Sequence, residues 1–243
     1  MELKNLELEF KNLDLGTKSM YDCHCHFLPN IDDGPTSLGE SLMLARMAVA
    51  NGIQLSVMTP HIHAGRYLNQ KNNIEKAVDE FRLELEKNEI ALELRAAAEV
   101  RIGPEILAMV DEEAIPFLGE LDGYRIMLLE FPHEMIPVGS ENLVDWLLKR
   151  KIRPMIAHPE RNKDVMRDLS KIMPYVTRGC LLQITAASIA NHFGDKAFIR
   201  AKEMLEQDWV HIIATDAHNR QYRPPDLADG RDAAARFVGQ GQA

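Results

Sequence analysis

The sequence predicts an α/β protein, most simply one barrel of parallel strands. Seven short apolar runs each read as a β-strand, and segments with helical periodicity separate most of them. The length of 243 residues suits a single barrel domain. No Ser/Gly linker, low-complexity block or fixed repeat divides the chain. We therefore expect one domain over residues 20–243, after a leader of residues 1–19 to which the sequence assigns no chemistry.

The first strand and helix have the clearest local signals. A strand is predicted over 20–26, followed by a loop rich in turn-forming residues. Ser37 and Glu40 have the spacing of a capping box, and Gly52 ends the helix that they begin. Pro104 suits the first turn of a further helix.

The other elements follow from the same alternation of apolar runs and amphipathic segments. Further strands are predicted over 54–59, 92–99, 124–131, 153–158, 180–184 and 209–215. Further helices are predicted over 73–88, 141–151, 168–177, 196–207 and 226–237. Strands that alternate with helices of this length favour parallel pairing.

Composition and charge exclude two classes of partner. The formal net charge is -9 and no predicted helix carries a Lys/Arg stripe, which argues against nucleic-acid binding. No run approaches the roughly 18–20 apolar residues of a membrane span, and the amino terminus does not resemble a signal peptide. Cys23, Cys25 and Cys180 provide no disulfide framework. We expect a cytoplasmic protein that is not inserted in a membrane.

Six of the seven predicted strands end on residues that can bind metal ions. These ends are Asp22-Cys23-His24-Cys25-His26, Thr59-Pro60-His61, Glu99, Glu130, His158 and Asp216-Ala217-His218. The run that ends at Gln183-Ile184 is the exception, and Asp33 in the first loop is a further candidate. In barrels of this kind the active site lies at the carboxyl ends of the strands, so we expect these side chains to meet in one site.

The first strand carries the sharpest of these signals. Alternate strand residues share a face, so Asp22, His24 and His26 are predicted to project together. Cys23 and Cys25 are then expected to face the covering helices as core residues. The alternative is a pair of buried, hydrogen-bonded histidines, which the other ligand-bearing strand ends disfavour.

Two carboxylates at the ends of apolar strands need charged partners. An unpaired buried charge costs several kcal/mol, and a metal ion near Glu99 and Glu130 would remove that cost. The alternative is an ion pair with Arg101, Arg125 or Arg161.

Oxygen and imidazole ligands without thiolate suit Mn, Fe, Zn or similar ions. The candidate ligands are His24, His26, Asp33, His61, Glu99, Glu130, His158, Asp216 and His218. They exceed the needs of one ion, so two or three ions with a bridging carboxylate are expected. Such clusters generate hydroxide at neutral pH and clamp a phosphoryl group.

Arg161 lies just beyond His158 and is the candidate phosphate-binding residue. A guanidinium can hold two phosphate oxygens and offset charge in the transition state. The alternative is that Arg161 pairs with Glu160 or another acid. The remaining histidines lack the strand-end context and are expected at the surface or in the core: His63, His133, His192 and His211.

These motifs together resemble the polymerase and histidinol phosphatase (PHP) superfamily. They are most similar to the bacterial manganese-dependent protein-tyrosine phosphatases of capsule and exopolysaccharide loci. The matching segments are Asp22-Cys23-His24-Cys25-His26-Phe27-Leu28-Pro29, Ile31-Asp32-Asp33-Gly34, Thr59-Pro60-His61, His158-Pro159-Glu160-Arg161, Gln183-Ile184-Thr185-Ala186-Ala187-Ser188 and Thr215-Asp216-Ala217-His218-Asn219. They span nearly the whole chain.

The resemblance implies a distorted seven-stranded (β/α) barrel with a trinuclear site. Its ions would be held by His24, His26, Glu99 and Asp216, by Asp33, His61 and His218, and by Glu99, Glu130 and His158. Manganese is the expected metal, with Fe, Zn, Co or Mg as alternatives. Arg161 would bind the substrate phosphate while a metal-bound hydroxide attacks phosphorus. The implied substrate is a phosphotyrosine-rich tail of a membrane-associated tyrosine autokinase that controls polysaccharide synthesis.

Two departures from the family pattern concern substrate preference. Ile62 and then His63 follow Thr-Pro-His, where a second His or an aromatic residue is common, so His63 is a candidate accessory phosphate contact. Thr185 stands where Asn is common.

Two other functions remain open on the sequence. One is a PHP-type phosphatase for a small phosphomonoester such as histidinol phosphate, and the other is a metal-stabilised binding module without turnover. A cysteine-nucleophile phosphatase is excluded, because none of the three cysteines begins a Cys-x5-Arg loop.

Overall fold

The structure is a computed structural model that describes residues 20–241. The expected leader, residues 1–19, lies outside the described residues. None of the helices within residues 20–241 has both the length and the apolar character needed to cross a bilayer.

Eleven strands lie in the described part of the chain. They are β1 (Met20–Cys25), β2 (Ile53–Met58), β3 (His61–His63), β4 (Tyr67–Leu68), β5 (Glu93–Ala96), β6 (Glu99–Arg101), β7 (Gly119–Leu121), β8 (Tyr124–Glu130), β9 (Ile152–Ala157), β10 (Leu181–Thr185) and β11 (Ile212–Ala214).

The same residues contain nine α-helices. They are α1 (Leu38–Ala50), α2 (Lys71–Lys87), α3 (Ile106–Asp111), α4 (Ser140–Lys149), α5 (Lys163–Arg167), α6 (Met173–Thr177), α7 (Ala186–Ile189), α8 (Asp195–Glu206) and α9 (Leu227–Val238). Short 3-10 helices cover Pro159–Arg161 and Leu169–Ile172.

The strands form a distorted barrel with seven strand positions in its wall. One parallel sheet runs β1-β2-β5, and a second runs β11-β10-β9-β8-β6-β3, with β4 and β7 added antiparallel. After Pro60, β3 continues β2, and β6 continues β5 after a break at 97–98. A parallel bridge between Cys25 and Ala217 links β1 to the segment after β11. The α/β barrel predicted from the sequence is confirmed.

Several predicted elements differ in extent: the strand predicted over 92–99 breaks at 97–98, so Glu99 begins β6 instead of ending a strand, and two others differ for local reasons. The helix predicted over 168–177 is a 3-10 turn followed by α6, because Pro174 has no N–H to give to a continuous α-helix. The strand predicted over 209–215 is shorter, because Trp209 N donates to Met204 O and so completes the turn after α8.

Strand alternation divides the apolar core into two layers. One face of β8, β9 and β10 packs under the helices through Met127, Leu129, Ile156, Leu182 and Ile184. The other face fills the barrel lumen with Ile126, Leu128, Met155, Ala157 and Leu181. Toward the carboxyl ends this inner face becomes polar, at Glu130 of β8 and Gln183 of β10, so an apolar layer lies beneath the site.

A register shift in β1 changes the predicted direction of two side chains. Asp22 pairs with Ser56 and Cys25 with Met58, so β1 has one more residue than β2 in this interval, as in a β-bulge. The Asp22 carboxylate therefore accepts the backbone N–H and the hydroxyl of Thr215 instead of joining the histidines.

The same shift corrects one of the two cysteine predictions. Cys23 faces the lumen, where it packs with Val57 and Ile212, and the expectation that it faces the helices is wrong. Cys25 packs in the cluster that includes Leu44 of α1, as predicted.

Candidate metal centre

The nine candidate ligands all lie on the side of the barrel to which the strands run; Asp33 lies in the loop after β1, and His61 and Glu99 begin β3 and β6. The structure brings them into three overlapping groups whose ligand atoms lie within 4.8 Å of one another. The groups are His26, Asp33, His61 and His218; His24, Glu99, His158 and Asp216; and His61, Glu99 and Glu130. The spacing within each group allows it to hold a metal ion.

Two of these residues occupy unusual backbone conformations. His158 follows β9 with φ of 32°, and Asp216 follows β11 with φ of 52°. Non-glycine residues rarely adopt this left-handed region, and such strain is found where the surroundings hold a functional side chain in place. Asp216 is held by its backbone N–H, which donates to His24 O over 2.7 Å.

Glu99 is the central carboxylate of the cluster. Its Oε2 lies 3.0 Å from His61 Nδ1. The same oxygen lies 3.3 Å from His24 Nε2 and 3.4 Å from His26 Nε2. Its Oε1 lies 2.8 Å from His158 Nε2. Both oxygens of one buried carboxylate thus face imidazole nitrogens, which is the arrangement that a bridging ligand requires.

Asp216 combines with the same histidines and with two arginines. Its Oδ1 lies 3.2 Å from His24 Nε2 and 3.5 Å from His26 Nε2. Its Oδ2 accepts from the guanidinium groups of Arg161 and Arg223. The carboxylate therefore joins the metal cluster to the two cations beside it.

Asp33 is the most exposed of the nine candidates and comes from the loop after β1. Its Oδ1 lies 3.2 Å from His61 Nε2 and 3.3 Å from His218 Nε2. These imidazoles lower the pKa of the Asp33 carboxyl well below its usual value, although burial opposes them. The loop thus closes one side of the cluster with a charged oxygen.

Buried polar atoms in the cluster fit divalent ions. Within residues 20–241, Glu99 Oε2, Asp216 Oδ1 and His218 Nε2 are buried, and none of their close contacts is a hydrogen bond. His24 Nε2 and His26 Nε2 lie only 3.2 Å apart. Buried polar atoms are normally satisfied, and carboxylate oxygens mixed with imidazole nitrogens form the donor set that transition metals accept.

The charges of the cluster set its proton balance. Burial raises the pKa of the Glu99 carboxyl, but the charges of His24 and His61 lower it by more. The net pKa of Glu99 is therefore well below its usual value. Burial lowers the pKa of His61, but the charge of Glu99 raises it by more, and the net pKa of His61 is about 10. Because a ligating imidazole must be unprotonated, protons and metal ions compete for His61.

Glu130 also forms the ion pair that the sequence left open as an alternative. Its Oε2 lies 2.8 Å from Arg101 Nε and 3.9 Å from His61 Nδ1. Burial and the charge of Glu99 raise the pKa of Glu130 to about 7. Glu130 therefore faces both Arg101 and the cluster.

Arg161 pairs with Asp216, as described above, and not with Glu160. The guanidinium of Arg161 also lies over the Phe193 ring, 4.9 Å from its centroid. Glu160 is buried in another direction, where it accepts Thr185 N–H and Ser188 Oγ–H. Arg161 is thus held at the cavity wall while Glu160 anchors the turn behind it.

Asp32 is a site residue that sequence reasoning missed. Its Oδ2 lies 2.7 Å from His26 Nδ1 and accepts His61 N–H over 3.0 Å. Burial raises the pKa of Asp32, but His26 outweighs it and the net value falls to about 2. The carboxylate fixes the ring of His26 so that Nε2 faces the cluster. The Asp-Asp pair in the first loop was the only signal, and it does not tell the two residues apart.

The change Asp32→Asn is expected to weaken metal binding by about 10–100-fold, because partners that orient a ligating histidine contribute on that scale. A competition titration with a metal indicator would measure the change. Asp122→Asn is the matched control, since Asp122 lies in the β7–β8 turn away from the cluster. Equal metal affinity of Asp32→Asn and the unchanged protein would contradict the assignment.

A cavity of about 190 Å³ opens above the cluster. Its lining includes proposed ligands, Arg161, the candidate phosphate contact His63, and residues that the sequence did not select, among them Arg223 and His133. His63 and His133 were expected at the surface or in the core, and His63 also as an accessory phosphate contact; both border this cavity. No spacing rule marks Arg223, because it reaches Asp216 through the irregular turn after β11.

The cysteines have no place in this chemistry. All three are free and buried. Burial raises the pKa values of Cys23 and Cys180 to about 12 and that of Cys25 well above its usual value. A thiol is a poor nucleophile while it stays protonated.

A parallel barrel whose strand ends carry such a cluster of imidazoles and carboxylates defines the class of metal-dependent barrel enzymes. Comparison with known proteins narrows this class. The chain belongs to the CpsB/CapC family of capsular polysaccharide synthesis, whose family model matches residues 20–243. The family expected from the sequence motifs is confirmed.

Individual relatives agree with this family. The chain is 34% identical to tyrosine-protein phosphatase YwqE of Bacillus subtilis, over 84% of this chain and 79% of that protein. A crystal structure from work on YwqE of Bacillus subtilis and CpsB of Streptococcus pneumoniae, called metal-dependent tyrosine phosphatases, aligns with a TM-score of 0.84. That alignment has 31% identity and covers 90% of this chain and 88% of the other.

A more distant likeness concerns the fold alone. An organophosphorus hydrolase mutant aligns with a TM-score of 0.55 at 14% identity, over 91% of this chain and 87% of that chain.

Proposed function

We propose that this chain is a metal-dependent protein-tyrosine phosphatase that hydrolyses phosphotyrosine in proteins. The observation that carries the proposal is the cluster of imidazoles and carboxylates joined through Asp216 to two arginines at one cavity. Metal ligands beside guanidinium groups suit phosphoryl transfer, because both offset the charge of the phosphate. Membership of a family with tyrosine-phosphatase relatives supports the same reaction.

The proposed ligands divide among two or three divalent ions, with manganese as the proposed metal. In the division that the resemblance implies, His24, His26, Glu99 and Asp216 would hold one ion, and Asp33, His61 and His218 a second; Glu99, Glu130 and His158 would hold the third. The spacing in the structure instead groups His26 with the second set, His158 with the first and His61 also with Glu99 and Glu130. When bound, such ions lower the pKa of water and polarise a phosphoryl oxygen.

Arg161 is the proposed phosphate-binding and catalytic residue. Its fork of N–H groups can hold two phosphate oxygens in a fixed orientation. Phe193 and Asp216 restrict the guanidinium, so little conformational freedom is lost when a phosphate binds.

The proposed substrate is a phosphotyrosine-bearing protein in the cytoplasm, specifically a tyrosine autokinase of a capsule or exopolysaccharide locus. A small phosphomonoester such as histidinol phosphate is the competing substrate class. Comparing kcat/KM on a phosphotyrosine peptide and on histidinol phosphate separates the two, and a higher value on histidinol phosphate would contradict the proposal.

Metal removal is expected to stop phosphotyrosine hydrolysis, whereas thiol alkylation is expected to leave it unchanged. A chelator is expected to abolish hydrolysis of the phosphotyrosine peptide, and added manganese should restore it, since the proposed ligands need the ions to act. Iodoacetamide should leave activity intact, because the three thiols are buried. The rate of phosphate release is the measurement. Activity that persists in chelator and disappears on alkylation would exclude this mechanism.

A further inference from the structure

We propose that Arg66 recognises an anionic side chain next to the phosphotyrosine of the substrate polypeptide. This inference rests on the proposed function and makes Arg66 a specificity-determining residue. The anionic group is a carboxylate or a second phosphate on the same polypeptide.

Arg66 has a defined position at the cavity mouth. It lies in the turn between β3 and β4, which pair in antiparallel fashion through His63 and Tyr67. The backbone N–H of Arg66 donates to His63 O over 2.9 Å, and Gly65 supplies the positive φ of 78° that this tight turn needs. The hairpin therefore fixes the base of an exposed side chain that lines the cavity.

Tyr67 connects Arg66 to the metal cluster. The Tyr67 ring is stacked on His61, with centroids 5.6 Å apart and ring planes inclined by 12°. The Arg66 guanidinium lies 4.9 Å from the centroid of the same ring. Arg66 and the proposed ligand His61 thus both contact the Tyr67 ring. A residue beside a phosphotyrosine bound at the cluster would therefore lie close to Arg66.

Arg66 differs in its pairing from the other arginines of this cavity. Arg101 pairs with Glu130, and Arg161 and Arg223 both pair with Asp216. Among residues 20–241, no carboxylate lies within ion-pair distance of Arg66, whose charge contacts the Tyr67 ring instead. Its guanidinium can therefore accept an anion without breaking an existing ion pair.

Because the chain as a whole is acidic, the positive charge of Arg66 can select the way in which an acidic polypeptide approaches the cavity. The net charge of -9 repels an acidic polypeptide over most of the surface, while a cation at the mouth favours one approach. An ion pair at an exposed position changes affinity by up to about fivefold. The expected contribution is therefore to substrate choice, not to the chemical step.

The test compares manganese-loaded protein on three phosphotyrosine peptides and on p-nitrophenyl phosphate. The peptides carry Glu, Gln or a second phosphotyrosine beside the reacting residue. We expect kcat/KM of the unchanged protein to be about fivefold higher with Glu than with Gln, and Arg66→Gln to bring that ratio close to one. The third peptide tells whether phosphate or carboxylate is preferred. Arg46→Gln, an exposed arginine on α1, is the matched control and should keep the ratio.

Charge reversal and a binding assay complete the design. Arg66→Glu should prefer a peptide with Lys in place of Glu. A Glu/Gln ratio that is equal in Arg66→Gln and the unchanged protein would overturn the inference, as would an equal loss on all substrates including p-nitrophenyl phosphate.

The binding assay separates this inference from the proposed function. Fluorescence anisotropy with non-hydrolysable phosphonate analogues of the peptides measures Kd without turnover. If no phosphotyrosine compound is hydrolysed, the proposed function fails, and the Kd ratios still decide the role of Arg66: a preference lost in Arg66→Gln supports it, and no preference overturns it.

Discussion

Replacing Glu99 with Gln is expected to lower kcat/KM on a phosphotyrosine peptide by about a thousandfold, which corresponds to about 4 kcal/mol of transition-state stabilisation. The amide keeps the shape of the side chain but removes its charge and half of its acceptor capacity. Because Oε1 and Oε2 of Glu99 face four imidazoles between them, one substitution disturbs two of the proposed ion positions.

The Glu99 experiment needs a metal measurement beside the rate. Metal content after gel filtration should fall for Glu99→Gln and remain unchanged for Glu86→Gln, an exposed glutamate on α2. Far-UV circular dichroism would show that both variants are folded. A Glu99→Gln protein with full metal content and full activity would remove Glu99 from the site.

The second large effect is expected for Arg161→Lys. Lysine keeps the positive charge but loses the planar fork that can hold two phosphate oxygens and contact the Phe193 ring. We expect kcat/KM to fall about a hundredfold, or about 2.7 kcal/mol, which is the scale of one lost transition-state contact.

The Arg161 variant is distinguished from a metal-site variant by its metal content, which should stay close to that of the unchanged protein. Arg167→Lys is the matched control, since Arg167 is an exposed arginine of α5 that pairs with Asp164. Parallel losses of metal and activity in Arg161→Lys would show that the residue acts only by supporting Asp216.

The strand-end residues were predictable because short apolar runs mark the strands and segments with helical periodicity mark the helices between them. An apolar run that stops at Glu130 or just before His158 marks the end of β8 or β9, and parallel strands bring such ends together. The barrel follows from the same alternation, so the fold and the convergence of the nine candidates could be expected from sequence alone.

Other features depend on contacts that the sequence does not encode locally. The bulge in β1 breaks the period of two that placed Asp22 beside His24, and no residue type marks it. Asp32 and Asp33 are neighbours in a turn, where periodicity cannot say which one orients a ligand and which one faces the cluster. The β3–β4 hairpin has too few residues to show alternation, so the positions of Arg66 and Tyr67 emerge only in three dimensions.

The apolar filling of the barrel lumen determines how the substrate enters the site and in which order the products leave it. Within residues 20–241, side chains from β8, β9 and β10 fill the lumen below the cluster, and the cavity opens on the opposite side. In the proposed reaction the polypeptide enters from that side, and inorganic phosphate is released beneath it. We therefore expect the dephosphorylated protein to depart first and phosphate last, so that phosphate competes with the substrate as a product inhibitor.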